Sequence, residues 1–335
     1  MYQKAYGIIE TLAPLHVGAS AGEETGNLNL IFRDQFTLTG IIPGSSIRGR
    51  FRADMRLEKG NCDYWYGKEA KNSKQNSTQG ANGSTSQTVP ANPEPTPETV
   101  AQPGQSATQV KKKERTNTNT DEGTTEGAVK FEYASILWLP VYCPNQPIVR
   151  VSCPSLLKRY QKIAGLTSHR IKPYSYYVPQ HAEKPKRDRL FFNLGFLPLK
   201  TEDSKLPDYL PRQIDDAEDH LLLVVKDTEM AMIHDMALYR QSRVALKENE
   251  KIVAGTSFFN VEALPEKSVL VFPIALKETE KIPDPRSNFV QEAKLETSKE
   301  LYFGGLESVG FGRTQVTLQE AKKQANTPTQ GSTEA

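Results

Sequence analysis

Residues 41–52 read IIPGSSIRGRFR and combine a Pro-Gly turn, two serines and three arginines. Together with the residues that follow, up to Gly60, this stretch predicts a helix. Three apolar residues repeat at four-residue spacing and mark the side expected to be buried: Ile47, Phe51 and Met55. Ser45 or Ser46 is the expected N-cap, because a serine hydroxyl can accept a bond from a free backbone N–H of the first turn.

The start of this helix is a candidate anion site. Free backbone N–H groups and the positive end of the helix dipole attract negative charge. Arg48, Arg50 and Arg52 follow within two turns and can neutralise phosphates. The segment therefore predicts a phosphate-binding helix start. Taken alone, the motif also fits an ordinary capped helix with an exposed basic side.

Strands and helices alternate on both sides of this helix, which indicates an α+β fold. The predicted strands are KAYGIIETLAPLHVG (4–18), LNLIFRDQFTLTGII (28–42), VKFEYASILWLPVYCP (129–144, one strand or a pair), HLLLVV (220–225) and VLVFPIAL (269–276). The predicted helices are PSLLKRYQKIAG (154–165) and DTEMAMIHDMALYRQ (227–241). Residues 301–318, LYFGGLESVGFGRTQVTL, predict a strand, a glycine loop and a second strand.

Composition predicts one domain split by an insertion. Residues 69–127 contain no aromatic residue and few branched apolar ones, so they cannot bury enough surface to offset the ordering of their backbone. We therefore expect residues 1–68 and 128–320 to form one domain, 69–127 a disordered low-complexity insertion, and 321–335 a flexible C-terminal tail.

The charge and cysteine content set broad limits. The 42 basic and 40 acidic side chains nearly cancel, so only local clustering can indicate a polyanionic partner. Cys62, Cys143 and Cys153 form no CxxC pair and are odd in number, which favours a reducing, cytoplasmic setting. No signal peptide and no apolar run of about 18 residues are recognisable, so no membrane partner is expected.

Three motifs in order along the chain resemble one known family. They are PLHVG (14–18), the helix start at 41–52, and GGLESVGFGR (304–313). In this combination the chain resembles the RAMP superfamily of CRISPR-associated proteins, and more closely the Csm- and Cmr-like backbone subunits of type III effector complexes. Residues 127–144, 153–163 and 239–276 resemble further parts of the family. The resemblance covers nearly all of the chain except the insertion and the tail.

The resemblance implies a modified RRM, or ferredoxin-like, sheet with a projecting thumb hairpin. It implies a subunit that binds CRISPR guide RNA, positions target RNA, and stacks with other RAMP subunits and the large signature subunit of the complex. Residues expected to contact RNA are His16, Ser45, Ser46, Arg48, Arg50, Arg52, Arg170, Lys172, Gly304, Gly305, Ser308 and Arg313. The glycines are expected to allow close backbone approach, and Ser308 and Arg313 to supply donors.

A third candidate contact lies at residues 167–189, TSHRIKPYSYYVPQHAEKPKRDR. Its cations include Arg170 and Lys172, and its aromatic residues are Tyr174, Tyr176 and Tyr177. Aromatic rings stack bases while cations follow the backbone of single-stranded nucleic acid. The alternative is a long exposed loop whose tyrosines pack on a neighbouring subunit.

The resemblance also bears on cleavage. Target-RNA cutting in this family usually depends on an aspartate in the loop after the LHVG-like turn, and counting back from Pro43 places Asn27, Leu28 or Asn29 there. None is a carboxylate, so we expect a subunit that binds without cutting and needs no cofactor or metal site. The alternative is an endoribonuclease that uses Glu23, Glu24 or Asp34 with Mg²⁺ or Mn²⁺. An enzyme that processes precursor guide RNA is a more distant third interpretation.

Overall fold

The computed structural model describes residues 1–18, 28–68, 125–144, 146–214, 216–217, 219–246 and 253–321. Most of the predicted insertion and tail, and the candidates Glu23, Glu24 and Asn27, lie outside these residues. The described parts of Met1–Gly67 and Glu126–Ala335 form one compact unit. No helix within the described ranges is long and apolar enough to cross a bilayer.

Short strands and few helices make up this unit, which confirms the predicted α+β class. The strands are β1 (Tyr2–Thr11), β2 (Leu28–Asn29), β3 (Ile41–Ile42), β4 (Val129–Phe131), β5 (Ala134–Cys143), β6 (Gln146–Ser152), β7 (Ser175–Tyr177), β8 (Arg189–Phe192), β9 (Gly195–Pro198), β10 (Thr201–Glu202), β11 (Leu221–Val224), β12 (Tyr239–Leu246), β13 (Val253–Ala263), β14 (Val269–Lys277), β15 (Ser298–Tyr302) and β16 (Arg313–Glu320). The helices are α1 (Gly44–Leu57), α2 (Cys62–Tyr66), α3 (Pro154–Ala164), α4 (Asp227–Ala237) and α5 (Pro285–Glu292), with single 3₁₀ turns at Leu206–Tyr209 and Glu307–Val309.

One mixed sheet organises the described part of the chain. Its main path runs β10-β7-β11-β6-β5-β14-β1-β16-β15, while β3 pairs with β5 and β4 with β14. Most neighbours are antiparallel, but β11 lies parallel to β6 and β10 parallel to β7. The central position of β1, between β14 and β16, brings the two ends of the chain into the same sheet.

Both faces of the sheet are buried, because successive side chains of a strand point to opposite faces. On β1, Ile9 joins the core that contains Phe51 of α1 and Phe289 of α5. Its neighbour Ile8 joins the opposite core, which contains Tyr160 of α3. The sheet is therefore a middle layer, with α1 and α5 on one face and α3 on the other.

Two hairpins lie outside the main sheet. Strands β12 and β13 pair antiparallel, and β2 adds to β13 in parallel to give a three-stranded sheet. This long hairpin corresponds to the thumb hairpin that the resemblance to the RAMP superfamily implies. A second, shorter hairpin is formed by β8 and β9, with Phe191 opposite Phe196.

The stretch at 28–42 is less regular than its apolar pattern predicted. Apart from β2 and β3, it pairs only through isolated bridges, Gly18 with Ile31 and Arg33 with Gly40. Its turn is closed by backbone hydrogen bonds between Asp34 and Thr39 and between Ile41 and Phe32, and the Asp34 side chain adds bonds to Phe36 and Thr37. The prediction of one continuous strand here was wrong.

The two chain ends that flank the insertion lie side by side. The backbone N–H of Lys68 donates to Thr125 Oγ1 at 2.8 Å. The backbone N–H of Ala128 donates to the carbonyl of Tyr64 at 3.1 Å. Gly127 approaches so closely that a Cβ there would lie 2.7 Å from the Trp65 carbonyl oxygen. The chain therefore leaves and re-enters the compact unit at neighbouring points, near Gly67 and Gly127.

Candidate nucleic-acid interface

Helix α1 begins earlier than the sequence predicted. Pro43 is the N-cap residue, and its carbonyl accepts from the backbone N–H groups of Ser46 and Ile47 at 3.0 and 3.1 Å. Ser45 lies inside the first turn, and the helix has no side-chain cap. The predicted serine N-cap is therefore wrong. The first helical residue is Gly44, where a Cβ would lie only 2.8 Å from the carbonyl oxygen of Phe131 on β4.

The buried side of α1 is the predicted one. Ile47, Phe51 and Met55 are all buried, and the Phe51 ring packs against Phe131, Phe272, Phe289 and Phe303. Fully burying each of these side chains contributes about 1.5–3 kcal/mol, so this contact fixes the helix on the sheet. Lys299 of β15 adds an ion pair to Asp54 at 2.6 Å. The basic residues of α1 therefore stand on a rigid support.

The three arginines of α1 do not share one face. At about 100° per residue, Arg48 and Arg52 lie on one flank of the buried stripe and Arg50 on the other. Arg48 donates from Nη2 to the carbonyl of Tyr66 at 2.6 Å, and its guanidinium lies 5.9 Å from the Tyr66 ring centroid. The Nε atom of Arg50 is buried and makes no hydrogen bond within the described residues. Arg48 and Arg50 therefore flank the first turns of α1 on opposite sides.

The glycine loop (residues 304–313) packs on the PLHVG motif (residues 14–18). Gly304 has φ +80, and a Cβ there would lie 1.9 Å from the carbonyl oxygen of His16. The backbone N–H of Gly305 donates to that same oxygen at 3.2 Å, and the N–H of Gly312 donates to the Pro14 carbonyl at 2.9 Å. Gly304 is thus required by the chain's own backbone, whereas a Cβ on Gly305 would meet no atom within 4 Å.

His16 is buried and held in one orientation. Its Nδ1 lies 2.6 Å from the carbonyl oxygen of Glu262 on β13. Because a carbonyl can only accept, Nδ1 carries the proton of this hydrogen bond. His16 therefore links the end of β1 to the base of the β12–β13 hairpin.

Charged side chains fix the base of this hairpin. Arg33 donates to Asp235 of α4 at 2.5 Å and to Glu262 at 3.1 Å. Arg240 of β12 donates to the other oxygen of Glu262 at 3.3 Å. The Glu262 side chain is only 3% exposed, so the two guanidinium groups compensate for the loss of its hydration. We call Arg33, Asp235, Arg240 and Glu262 the hairpin-base cluster.

His234 of α4 holds the segment just before β3. Its Nε2 accepts from the backbone N–H of Gly40 at 2.9 Å. Burial, together with the positive charge of Arg33, lowers the pKa of His234 to about 4. The ring is therefore neutral at pH 7, as its acceptor role requires. This contact sets the position from which α1 starts four residues later.

The candidate cleavage residues that the structure describes have other roles. Asp34 Oδ1 accepts from the backbone N–H groups of Phe36 and Thr37 and from the Thr37 hydroxyl, at 2.8–3.0 Å. Burial raises the pKa of the Asp34 carboxyl, but these hydrogen bonds outweigh it and hold the pKa below its usual value. Leu28 and Asn29 lie on β2, beside Asn260 and Val261.

The tyrosines of residues 167–189 pack into the protein. Tyr174 is only 7% exposed and its hydroxyl donates to Glu229 at 2.5 Å. Tyr176 and Tyr177 are half-buried against the two cores. Arg170 and Lys172 are exposed. Arg170 and Lys172 are thus accessible, while Tyr174 is buried and Tyr176 and Tyr177 are only partly exposed.

Two further predicted contact residues lie at the glycine loop. Ser308 is exposed on the 3₁₀ turn Glu307–Val309. Arg313 donates from two nitrogens to the Glu300 carboxylate at 2.9 and 2.7 Å. Arg313 is therefore already neutralised by its neighbour on β15, which weakens its case as a phosphate donor. Within the described ranges, no three His, Cys, Asp or Glu side chains are grouped to hold a metal ion.

The three motifs meet although they are far apart in the chain. His16 contacts Gly304 and Gly305 through its backbone, and Phe303 beside the glycine loop packs on Phe51 of α1. The hairpin-base cluster stands next to His16 through the Glu262 carbonyl. Sequence reasoning missed Arg33 and Glu262, because an ion pair between residues 229 positions apart leaves no local pattern.

Comparison with known proteins gives a consistent result. The sequence matches the RAMP superfamily over residues 8–315. No curated protein sequence matches it. The fold is similar to that of a chain in the type III-B Cmr-beta complex bound to cognate target RNA, with a TM-score of 0.59 and 16% identity over 94% of this chain and 96% of that chain. It is also similar to oligomeric Cmr4 from Pyrococcus furiosus, with a TM-score of 0.59 and 16% identity over 96% of this chain and 100% of that one. This likeness in fold agrees with the predicted modified RRM-like domain.

Proposed function

The chain belongs to the RAMP superfamily, and from this membership we propose that it is a guide-RNA-binding backbone subunit of a type III CRISPR interference ribonucleoprotein. It holds guide RNA through phosphate contacts and positions target RNA without cutting it. Its partners are the two RNAs, other RAMP subunits and the large signature subunit. The proposal is supported by two similar folds, one from a type III-B complex bound to target RNA and one from an oligomeric Cmr4.

One observation carries the proposal: the three separated motifs pack together in the folded domain. His16, the glycine loop and α1 are joined through backbone contacts and through the packing of Phe303 on Phe51. The helix start offers the positive end of the helix dipole and flanking arginines. These groups can bind the phosphates of a nucleic acid but do not distinguish one base sequence from another. The exposed Ser308 extends the same loop toward solvent.

Binding of single-stranded RNA tests this proposal. We expect the purified chain to bind two guide-length RNAs of unrelated sequence with equal affinity in the presence of EDTA, because phosphate contacts need neither base identity nor a metal. The logarithm of the affinity is expected to fall linearly with the logarithm of salt concentration. Failure to bind RNA at low salt, or binding only with a divalent metal, would contradict the proposal.

The absence of cutting is a separate part of the proposal. Two described acidic side chains near the candidate interface already have partners, since Glu262 accepts from Arg33 and Arg240 and one oxygen of Asp34 accepts three hydrogen bonds. Leu28 and Asn29 supply no carboxylate at the position where the family usually has one. A general base needs a free carboxylate within hydrogen-bond reach of its proton.

Mapping of labelled target RNA after incubation with guide, Mg²⁺ or Mn²⁺ and the chain tests this part. The RNA is expected to stay intact, and Asn27→Asp, Leu28→Asp or Asn29→Asp to introduce a metal-dependent cut. If the unmodified chain cuts and Glu23→Ala, Glu24→Ala or Asp34→Ala abolishes the cut, the protein is a nuclease and the non-cleaving role is wrong.

A further inference from the structure

The β8–β9 hairpin exposes aromatic rings where a solvated hairpin normally exposes polar side chains. Along β8, Leu190 and Phe192 are buried, while Phe191 is 43% exposed. Phe196, directly across from Phe191 on β9, is 61% exposed, and the two ring centroids are 5.2 Å apart. The alternation therefore places a pair of rings on the outer face. Contiguous exposed apolar surface of this kind marks a binding site.

Basic side chains lie beside the two rings, and Arg189 among them also pairs with the exposed Asp188, with 3.6 Å between Nε and Oδ1. The guanidinium of Arg189 lies 5.9 Å from the Phe196 ring centroid, on the outer face of the hairpin. A cavity of about 360 Å³ lies between the hairpin and the preceding segment, and its walls include Lys184, Lys186 and Arg187. Glu183 is the one acidic residue on these walls. The volume is at the lower end of the range for small-ligand sites, so it suits one or two nucleotides and not a folded partner.

The combination of rings and cations identifies the ligand. Unpaired bases stack on aromatic faces, and lysine and arginine neutralise the phosphates that join them. The tyrosines that the sequence offered for this role are buried or packed on the cores. Phe191 and Phe196 of the β8–β9 hairpin are exposed and lie beside the cations of residues 184–187.

We propose that the β8–β9 hairpin and residues 183–187 form a pocket for unpaired bases of single-stranded RNA. A base stacks on Phe196 and Phe191, and the phosphates on either side of its nucleotide lie against Lys184, Lys186 and Arg187. The Glu183 carboxylate accepts from base amino groups and disfavours a phosphate at its own position. The pocket adds a second RNA contact to the one at α1. Its assignment rests on the proposed function of the chain as an RNA-binding subunit.

Tryptophan fluorescence of the full chain tests the pocket directly. The two native tryptophans, Trp65 and Trp138, are completely buried, so Phe196→Trp introduces an exposed reporter. We expect single-stranded RNA to quench its emission saturably, with the same midpoint as RNA binding measured by anisotropy. Phe36→Trp is the matched control, because Phe36 is 91% exposed and lies on another loop. Its emission is expected to change little.

Removing the rings tests the energetic role. Phe191→Leu with Phe196→Leu keeps the apolar character of the hairpin but removes the stacking faces. Loss of a stacked base weakens binding about 5- to 150-fold. The loss is expected with normal RNA and absent with an RNA whose bases have been removed, because an abasic strand has nothing to stack. Leu194→Ala at the hairpin turn, which removes apolar surface without a ring, is expected to bind normally.

The outcomes separate this pocket from the proposed function. If the native chain binds RNA but the Phe196→Trp emission is unchanged and the leucine variant binds normally, the pocket is refuted and the proposed function stands. If the leucine variant loses self-association in light scattering while RNA binding is unchanged, the face is a protein interface and the RNA pocket is wrong. If the native chain binds no RNA, both proposals fall.

Discussion

Glu262→Gln tests the hairpin-base cluster that fixes the candidate interface. Its carboxylate, 3% exposed, accepts from Arg33 and from Arg240. A hydrogen bond to a charged group contributes about 1.5–3 kcal/mol. Arg240 is 52% exposed and can return to water, so most of the loss comes from the bond to Arg33. We therefore expect the free energy of unfolding to fall by about 2 kcal/mol.

Urea denaturation followed by circular dichroism measures this loss. Asp235→Asn is the matched control. It also removes one carboxylate that pairs with Arg33, but this carboxylate belongs to a side chain that is 50% exposed. Such a pair contributes about 0–1 kcal/mol. If Glu262→Gln costs no more than Asp235→Asn, burial does not strengthen the Glu262 contacts and the cluster does not hold the hairpin base.

Three further perturbations follow from the structure. Asp216→Asn leaves the completely buried Arg150 without its carboxylate partner and is expected to lower the free energy of unfolding by about 3 kcal/mol at pH 7. The control is Asp219→Asn, at a side chain that is 55% exposed, which is expected to change this free energy by less than about 0.5 kcal/mol. Burial raises the pKa of Asp216, but His220, Lys267 and Arg150 together hold it below its usual value. The stabilisation by this carboxylate is therefore complete above the unfolded pKa of about 3.9 and is lost as the pH falls through the lower folded pKa, which unfolding curves at a series of pH values would reveal. Gly304→Ala places a Cβ 1.9 Å from the His16 carbonyl oxygen and is expected to lower the melting temperature, while Gly305→Ala, where a Cβ meets nothing within 4 Å, leaves it within a degree or two. Replacing residues 70–123 by two glycines is expected to preserve the circular dichroism spectrum and RNA affinity, because Lys68 and Thr125 are already hydrogen-bonded; an unfolded product would show that the segment is needed for folding.

Local patterns predicted several regular elements of this fold, but the helix predicted at 227–241 was too long, because α4 ends at Ala237 and β12 begins at Tyr239. The Ile47, Phe51 and Met55 spacing identified the buried side of α1. Pro154 and Gly165 marked the two ends of α3, where Gly165 adopts the left-handed conformation. Such features depend on neighbours within one or two turns, and the sequence displays them directly.

The errors arose where distant residues decide the local structure. Ser45 and Ser46 have the composition of a cap, but the approach of Gly44 to the Phe131 carbonyl lets the helix start at Gly44. The stretch 28–42 is apolar enough for a strand, yet Asp34 turns it. These outcomes depend on β4 and on side-chain hydrogen bonds, and local periodicity contains neither.

The candidate site also combines local motifs, which the sequence shows, with contacts between distant residues, which it does not show. Its motifs were recognisable, but their meeting at His16 depends on contacts with residues 304 and 262. The sequence also did not reveal the exposed rings of the β8–β9 hairpin, because RLFF has apolar residues on both faces of β8 and the pattern does not show which face is covered. Which side chains lie free to bind is a property of the packed molecule.

The central claim is that the start of α1 binds RNA phosphates, and the salt dependence of RNA affinity tests it most directly. Arg48→Gln with Arg50→Gln is compared with Arg56→Gln and Lys59→Gln, which remove the same charge from exposed residues in the last turn of the helix and just beyond its end. Each lost phosphate contact on a single strand reduces the slope of log affinity against log salt by about 0.7. We predict a slope reduced by about 1.4 for the first pair and unchanged for the second, with both variants folded. Equal slopes in the two variants would contradict the assignment of α1 as the phosphate-binding element.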